Sequence, residues 1–127
     1  MHLAGRPAAV RYARGAIQRE LHALGLDDAG DEAIRECAEA VLLIVSEMVT
    51  NACRHSPGPA DLRTSWNDHV LTVEVDDYGE DVPVIVDTDH RGAGGGFGMS
   101  LIDALADGWG VKPQDEGKTV YAHVAFP

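Results

Sequence analysis

The sequence predicts an α+β fold: a two-layer sandwich in which helices cover one face of a mainly antiparallel sheet. Three observations lead there. Two segments with helical spacing of apolar residues come first, near residues 10–24 and 32–55. Two segments that read as strands, 61–67 and the β-branched 69–77, then surround a tight turn at Asn67-Asp68. After a glycine-rich stretch and one more helical segment, a second strand pair closes the chain. The order helix, helix, strand, strand, helix, strand, strand lacks the alternation that builds a parallel sheet.

The N-terminal residues are irregular, with His2 to Ala4 a candidate brief edge strand. Pro7 suits a first helical turn, and Val10, Ala13, Ile17, Leu21 and Leu24 recur at spacings of an amphipathic helix that Gly25 ends. Asp31 is the expected N-cap of the second helix, and Ser56-Pro57-Gly58-Pro59 stops it. Val70-Leu71-Thr72-Val73-Glu74-Val75 is a β-branched strand ending at Asp76-Asp77-Tyr78-Gly79. Residues 80–91 are acidic and without period, so a loop is expected. Gly92 to Gly98 then lead into a helix from Met99 to Ala106. Gly108 to Val111 and Lys118 to Phe126 form a hairpin with its turn near Pro113 to Gly117, and Trp66 and Trp109 read as sheet or core residues.

At 127 residues the chain is expected to be a single domain, residues 1–127, able to bury a real core. Its formal net charge is −11, from 10 Lys plus Arg against 21 Asp plus Glu. That balance argues against nucleic acid or an anionic membrane as partner, since both are polyanions. There is neither an 18-residue apolar run nor a charged-then-apolar leader pattern, so a cytoplasmic protein is expected. Cys37 and Cys53 are the only cysteines, and on one helix they would stand about 24 Å apart, too far for a disulfide. Buried or half-buried free thiols are the expectation. The six histidines are scattered without an HxxxH spacing, which speaks against zinc.

The stretch Val41 to His55, VLLIVSEMVTNACRH, carries the chemistry. Glu47, Asn51 and His55 are spaced i, i+4, i+8 and share one helix face, while Val41, Val45, Met48, Val49 and Ala52 point elsewhere, toward a core. A helix with one hydrated stripe would look the same, so the stretch is read with two others. The glycine-rich run entering a helix offers backbone N–H groups to an anion, from Gly94, Gly95, Gly96, Phe97, Gly98 and Met99. It matches neither the Walker pattern nor a dinucleotide fingerprint. Asp77-Tyr78-Gly79, at a strand end, offers a fixed acceptor with room beside Gly79 for a flat ligand; an ordinary acidic turn is the bland alternative.

Together the three stretches suit ATP with Mg²⁺. Asp77 matches the exocyclic amine of adenine, the glycine-loop amides match the phosphates, and Asn51 offers an amide oxygen to a metal that keeps most of its shell for water and phosphate. Glu47, one turn earlier, is placed as a general base. An ionised Asp77 standing alone as acceptor predicts at least roughly tenfold discrimination against GTP. Asp76, one residue earlier on an alternating strand, should point to the other face of the sheet. Arg54, Arg91 and Lys118 are the available cations near the phosphates, and Lys118 reads equally well as a solvated strand residue.

Four segments carry a resemblance: Glu47-x-x-x-Asn51-Ala52-x-x-His55, Asp77-x-Gly79, Gly96-x-Gly98-Met99 and Gly117-Lys118-Thr119-Val120. In this order they resemble the motifs of the GHKL ATPase/kinase superfamily, whose ATP-binding architecture is the Bergerat fold. More closely the chain resembles the small anti-sigma-factor serine/threonine kinases of bacteria, over nearly its whole length. The resemblance implies Glu47 as catalytic base and Asn51 as Mg²⁺ ligand. It implies Asp77 on the adenine amine, Gly79 beneath the ring, Gly96 and Gly98 under the phosphates, and Thr119 supporting the adenine site through water. It further implies a STAS-domain anti-anti-sigma protein as phosphorylation substrate, a sigma factor as second partner, and a homodimer.

There are departures: the N-terminal strand looks truncated, and the lid between Glu80 and Gly95 is short, as in the small regulators and unlike sensor kinases. Asp81 stands where the motif Asp-x-Gly-x-Gly often has its second glycine, adding negative charge beside the expected nucleotide lid. Two readings therefore stand together: an ATP-dependent protein kinase acting by partner switching, and a non-catalytic ATP-binding module that sequesters a protein. The catalytic domain of a sensor histidine kinase ranks below both, because a phospho-acceptor dimerisation helix and a longer lid are not among these residues.

Overall fold

Two antiparallel hairpins supply the sheet, and the periodicity of their side chains decides which face the helices cover. The computed structural model describes residues 1–28, 30–55, 58–79 and 99–127. Helices α1 (Ala9–Ala23) and α2 (Glu32–His55) precede strands β1 (Pro59–Asn67) and β2 (Val70–Asp77). A short α3 (Ser100–Leu105) then precedes β3 (Gly108–Gln114) and β4 (Gly117–Ala125). The strands lie in the order β1-β2-β4-β3, every neighbouring pair antiparallel. This is the expected α+β sandwich.

Along β2, Leu71, Val73, Val75 and Asp77 are buried, while Thr72, Glu74 and Asp76 alternate with them on the opposite face. On β4 the matching inward set is Lys118, Val120, Ala122 and Val124, paired with Asp77, Val75, Val73 and Leu71. Against this face lies α2, contributing Val41, Ile44, Val45, Met48, Val49 and Ala52 to one core. Each Val, Ile or Met side chain among these taken out of water is worth about 1.5–3 kcal/mol, so this face governs the register. The first helix packs on the second through Ala13, Ile17 and Leu21.

Boundaries differ from the sequence reading where local geometry intervenes. Pro7 lies outside α1, because Ala8 adopts a left-handed conformation and the helix begins only at Ala9. The far end is a Schellman closure: Gly25 N–H donates to His22 O and Leu26 N–H to Leu21 O, with Gly25 at φ 71°. Leu24, expected on the packed face, is therefore a cap residue and exposed. Asp31 caps α2 as expected, its Oδ1 accepting from Ile34 N–H at 3.1 Å. The first hairpin turns at Asp68-His69, one residue later than expected, with both residues at positive φ as a two-residue type I′ turn requires. The second turns at Asp115-Glu116, so Pro113, Gln114 and Gly117, expected in the loop, belong to the strands. The N-terminal strand reduces to one bridge, His2 with Asp61. Of the two thiols, Cys37 is half-buried, its Sγ donating to Ala125 O; Cys53 is exposed, against expectation.

Candidate functional site

The second half of α2 presents Glu47 and Asn51 one turn apart on its polar face. Glu47 is half-buried, and Asn51 is 8% exposed. Asn51 Nδ2 donates to Met99 Sδ at 3.6 Å, a contact between residues 48 positions apart. Met99 is buried immediately before α3 and its carbonyl accepts from Asp103 N–H, so the start of that helix is held against Asn51. With the amide nitrogen turned to Met99, the amide oxygen is directed away from that contact. That is the orientation a cation ligand needs.

Asp77 ends β2 on the covered face and is 3% exposed. Its Oδ1 accepts from Gly79 N–H at 2.8 Å, an Asx-type turn that fixes the carboxylate against the departing backbone. It accepts also from Lys118 Nζ at 2.9 Å, and Nζ reaches Gly79 O at 3.1 Å. Lys118 is 2% exposed, so it is no solvated strand residue but the buried partner of Asp77. The two are direct cross-strand neighbours at the end of the β2–β4 ladder. A signal for this existed in the sequence: Lys118, Val120, Ala122 and Val124 share one period-2 face, and the first is charged.

Thr119 does not stand where the resemblance implied. Paired with Asp76, it lies on the opposite sheet face from Asp77, and its Oγ1 donates to Asp76 Oδ1 at 2.6 Å. Period-2 alternation forbids Lys118 and Thr119 from serving the same face, and the register awards the Asp77 side to Lys118. Asp76 does point away from Asp77, as expected. It is gripped by Arg63, whose Nη2 donates to Oδ1 at 2.9 Å while Nη1 bonds Oδ2. That guanidinium, aided by Thr119, holds the Asp76 carboxyl below its usual range against the opposing effect of burial. Burial, with Asp107 and Glu36 nearby, pushes the Cys37 thiol up.

Gly94, Gly95, Gly96, Phe97 and Gly98, with Asp81, Arg91 and the lid expected between residues 80 and 97, lie outside the described residues, as does the side chain of His55. The described candidate residues thus form two groups: Glu47, Asn51 and Met99 on α2 and ahead of α3, and Asp77, Gly79 and Lys118 at the end of the β2–β4 ladder. Their donor set fits Mg²⁺ and ATP. An amide oxygen and a nearby carboxylate suit a metal that retains its waters, and a buried acceptor at a strand end suits a base edge. Among the described residues there is no cluster of three His, Cys, Asp or Glu side chains that could hold a metal by themselves. Nor is any helix there long and apolar enough to cross a membrane.

The fold is shared with known proteins. A histidine kinase domain from the blue-light activated histidine kinase of Erythrobacter litoralis EL346 superposes with a TM-score of 0.53 at 23% identity. The match covers 94% of this chain and 60% of that one, so the chain spans about three-fifths of that structure's length and shares its fold. No curated protein matches the chain. The model of the histidine kinase-like ATPase domain family matches residues 3–124. Over residues 3–124, nearly its whole length, this chain belongs to the histidine kinase-like ATPase domain family, within the GHKL superfamily.

Proposed function

We propose that the protein is an ATP-dependent serine/threonine protein kinase of the anti-sigma type, phosphorylating a STAS-domain partner and binding a sigma factor in alternation. The observation that carries this reading is the joint placement of Glu47 and the buried Asn51 on α2, with Asn51 locked to Met99 ahead of α3. A nucleotide-binding domain that only held ATP would need Asn51 and Asp77; a half-buried carboxylate one turn from the metal ligand adds a proton acceptor.

In this reading Asn51 supplies its amide oxygen to the Mg²⁺ that accompanies ATP, and Asp77 accepts from the base. Glu47 takes the proton of the partner's hydroxyl as that oxygen bonds to the γ-phosphorus. The bridging bond to the β-phosphate breaks and ADP departs with its electron pair. Proton acceptance by such a carboxylate supplies roughly 10²–10⁴-fold in rate. The polyanionic surface, net charge −11, supports protein partners over nucleic acid, and the homodimer belongs to the same proposal.

The test is transfer of labelled γ-phosphate from ATP to a STAS protein encoded beside this one. Stoichiometric labelling of one serine or threonine is expected. Tight Mg-ATP binding without labelling of any such partner would favour the sequestering module instead.

A further inference from the structure

We propose that Lys118 sets base specificity: it keeps the Asp77 carboxylate paired whether or not a base amine is present. The site then accepts purine nucleoside triphosphates broadly instead of demanding adenine. This rests on the nucleotide reading above and adds to it a residue that has no part in the adenine recognition expected from Asp77 alone.

The geometry is specific. Asp77 Oδ1 already receives two donors, Gly79 N–H at 2.8 Å and Lys118 Nζ at 2.9 Å. Lys118 Nζ also binds Gly79 O at 3.1 Å, so the ammonium is tied to both ends of the turn that would lie beneath the base. Both side chains are within 3% of complete burial, beyond the reach of salt screening. The strand end is closely packed around them. A β-carbon on Gly117 would come within 2.0 Å of Asp77 O and 2.9 Å of Tyr78 Cα, so the β4 backbone is seated directly on β2.

The chemical consequence follows from where selectivity comes from. A buried carboxylate rejects a ligand lacking a donor because it would be left unpaired, a penalty worth roughly tenfold or more in affinity. Lys118 removes that penalty, since Asp77 stays paired when the ligand brings no amine. An oxygen at position 6 of the base likewise meets a neutral carboxylate–ammonium pair and not a bare carboxylate. The preference against GTP expected from Asp77 alone therefore collapses.

The experiment is titration of the whole chain, by calorimetry in Mg²⁺, with three probes: ATP, GTP, and the triphosphate of purine riboside, which lacks the 6-amine. The parent protein is expected to bind all three within about threefold, as the pairing argument requires. Lys118→Met is expected to open a gap of roughly tenfold or more between ATP and the amine-less analogue, and Asp77→Asn/Lys118→Met to close it again. Lys118→Thr, shorter and still polar, serves as a second variant for the same comparison. A parent preference for ATP of about tenfold or more over the analogue overturns the inference while leaving nucleotide binding intact. So does a folded Lys118 variant with the parent's ratios. Failure of the parent to bind any of the three at millimolar concentration overturns the nucleotide reading itself, and the inference with it.

Discussion

Gly117 and Asp77 touch through their backbones: the space for a Gly117 side chain is filled by the Asp77 carbonyl oxygen, 2.0 Å from where a β-carbon would stand. Gly117 also sits at φ 99°, a conformation that L side chains rarely adopt. It thus closes the β3–β4 hairpin and sets Lys118 opposite Asp77 in one step. Gly117→Ala should strain both, costing about 1–3 kcal/mol. Urea denaturation would read the loss. A variant as stable as the parent would show that the strand end can yield.

The buried ion pair makes a separate prediction about stability. Removing one partner leaves an uncompensated charge in a low-dielectric site, so Lys118→Met should cost about 3–5 kcal/mol. Asp77→Asn/Lys118→Met should recover most of that, because a neutral amide keeps the Gly79 N–H acceptor without a buried charge. A double-mutant cycle on urea midpoints measures the coupling. Additive losses would mean the two groups are independent.

Along α2, binding and chemistry should separate. Glu47→Ala should retain Mg-ATP binding and lose about 10²–10⁴-fold in phosphoryl transfer. Asn51→Ala should weaken Mg²⁺-dependent nucleotide binding itself, and should loosen α3 through loss of the contact to Met99. Binding isotherms and single-turnover transfer on both variants separate the roles. Full transfer activity in the Glu47 variant would remove it as the base.

The outer sheet face gives a pH dependence. Asp76 is held below its usual pKa of 3.8 first by the Arg63 hydrogen bonds. The folded value lies below the unfolded one, so the contribution is fully present above about pH 4–5 and is lost as pH falls through the folded value. Arg63 is nearly half exposed, so Arg63→Met should cost under about 1 kcal/mol at pH 7. That difference should hold constant down to pH 5 and shrink below pH 4. A difference that grew in acid would place the effect elsewhere.

What the sequence by itself determined is the local and the periodic. Apolar spacing in α1 and α2, the β-branched alternation of β2 and the capping of α2 by Asp31 are dictated within a few residues of chain. So the α+β class and the shared face of Glu47 and Asn51 were legible there. The opposition of Asp76 and Asp77 followed from the same alternation.

Only the tertiary structure decided which side chain meets Asp77. Lys118 and Thr119 are adjacent, and the choice between them depends on the register of β4 against β2, forty-one residues away in sequence. Register is governed by burying Val120, Ala122 and Val124 against α2 and by turns whose position shifts with a single positive-φ residue. A slip of one position would exchange the two faces, giving Asp77 a hydroxyl neighbour in place of an ammonium. Short-range alternation puts Lys118 on the apolar face of β4 with Val120, Ala122 and Val124; which β2 residue it meets is decided by the register that the shared core imposes. The same reason explains Met99, whose sulfur reaches Asn51 only because α3 packs on α2.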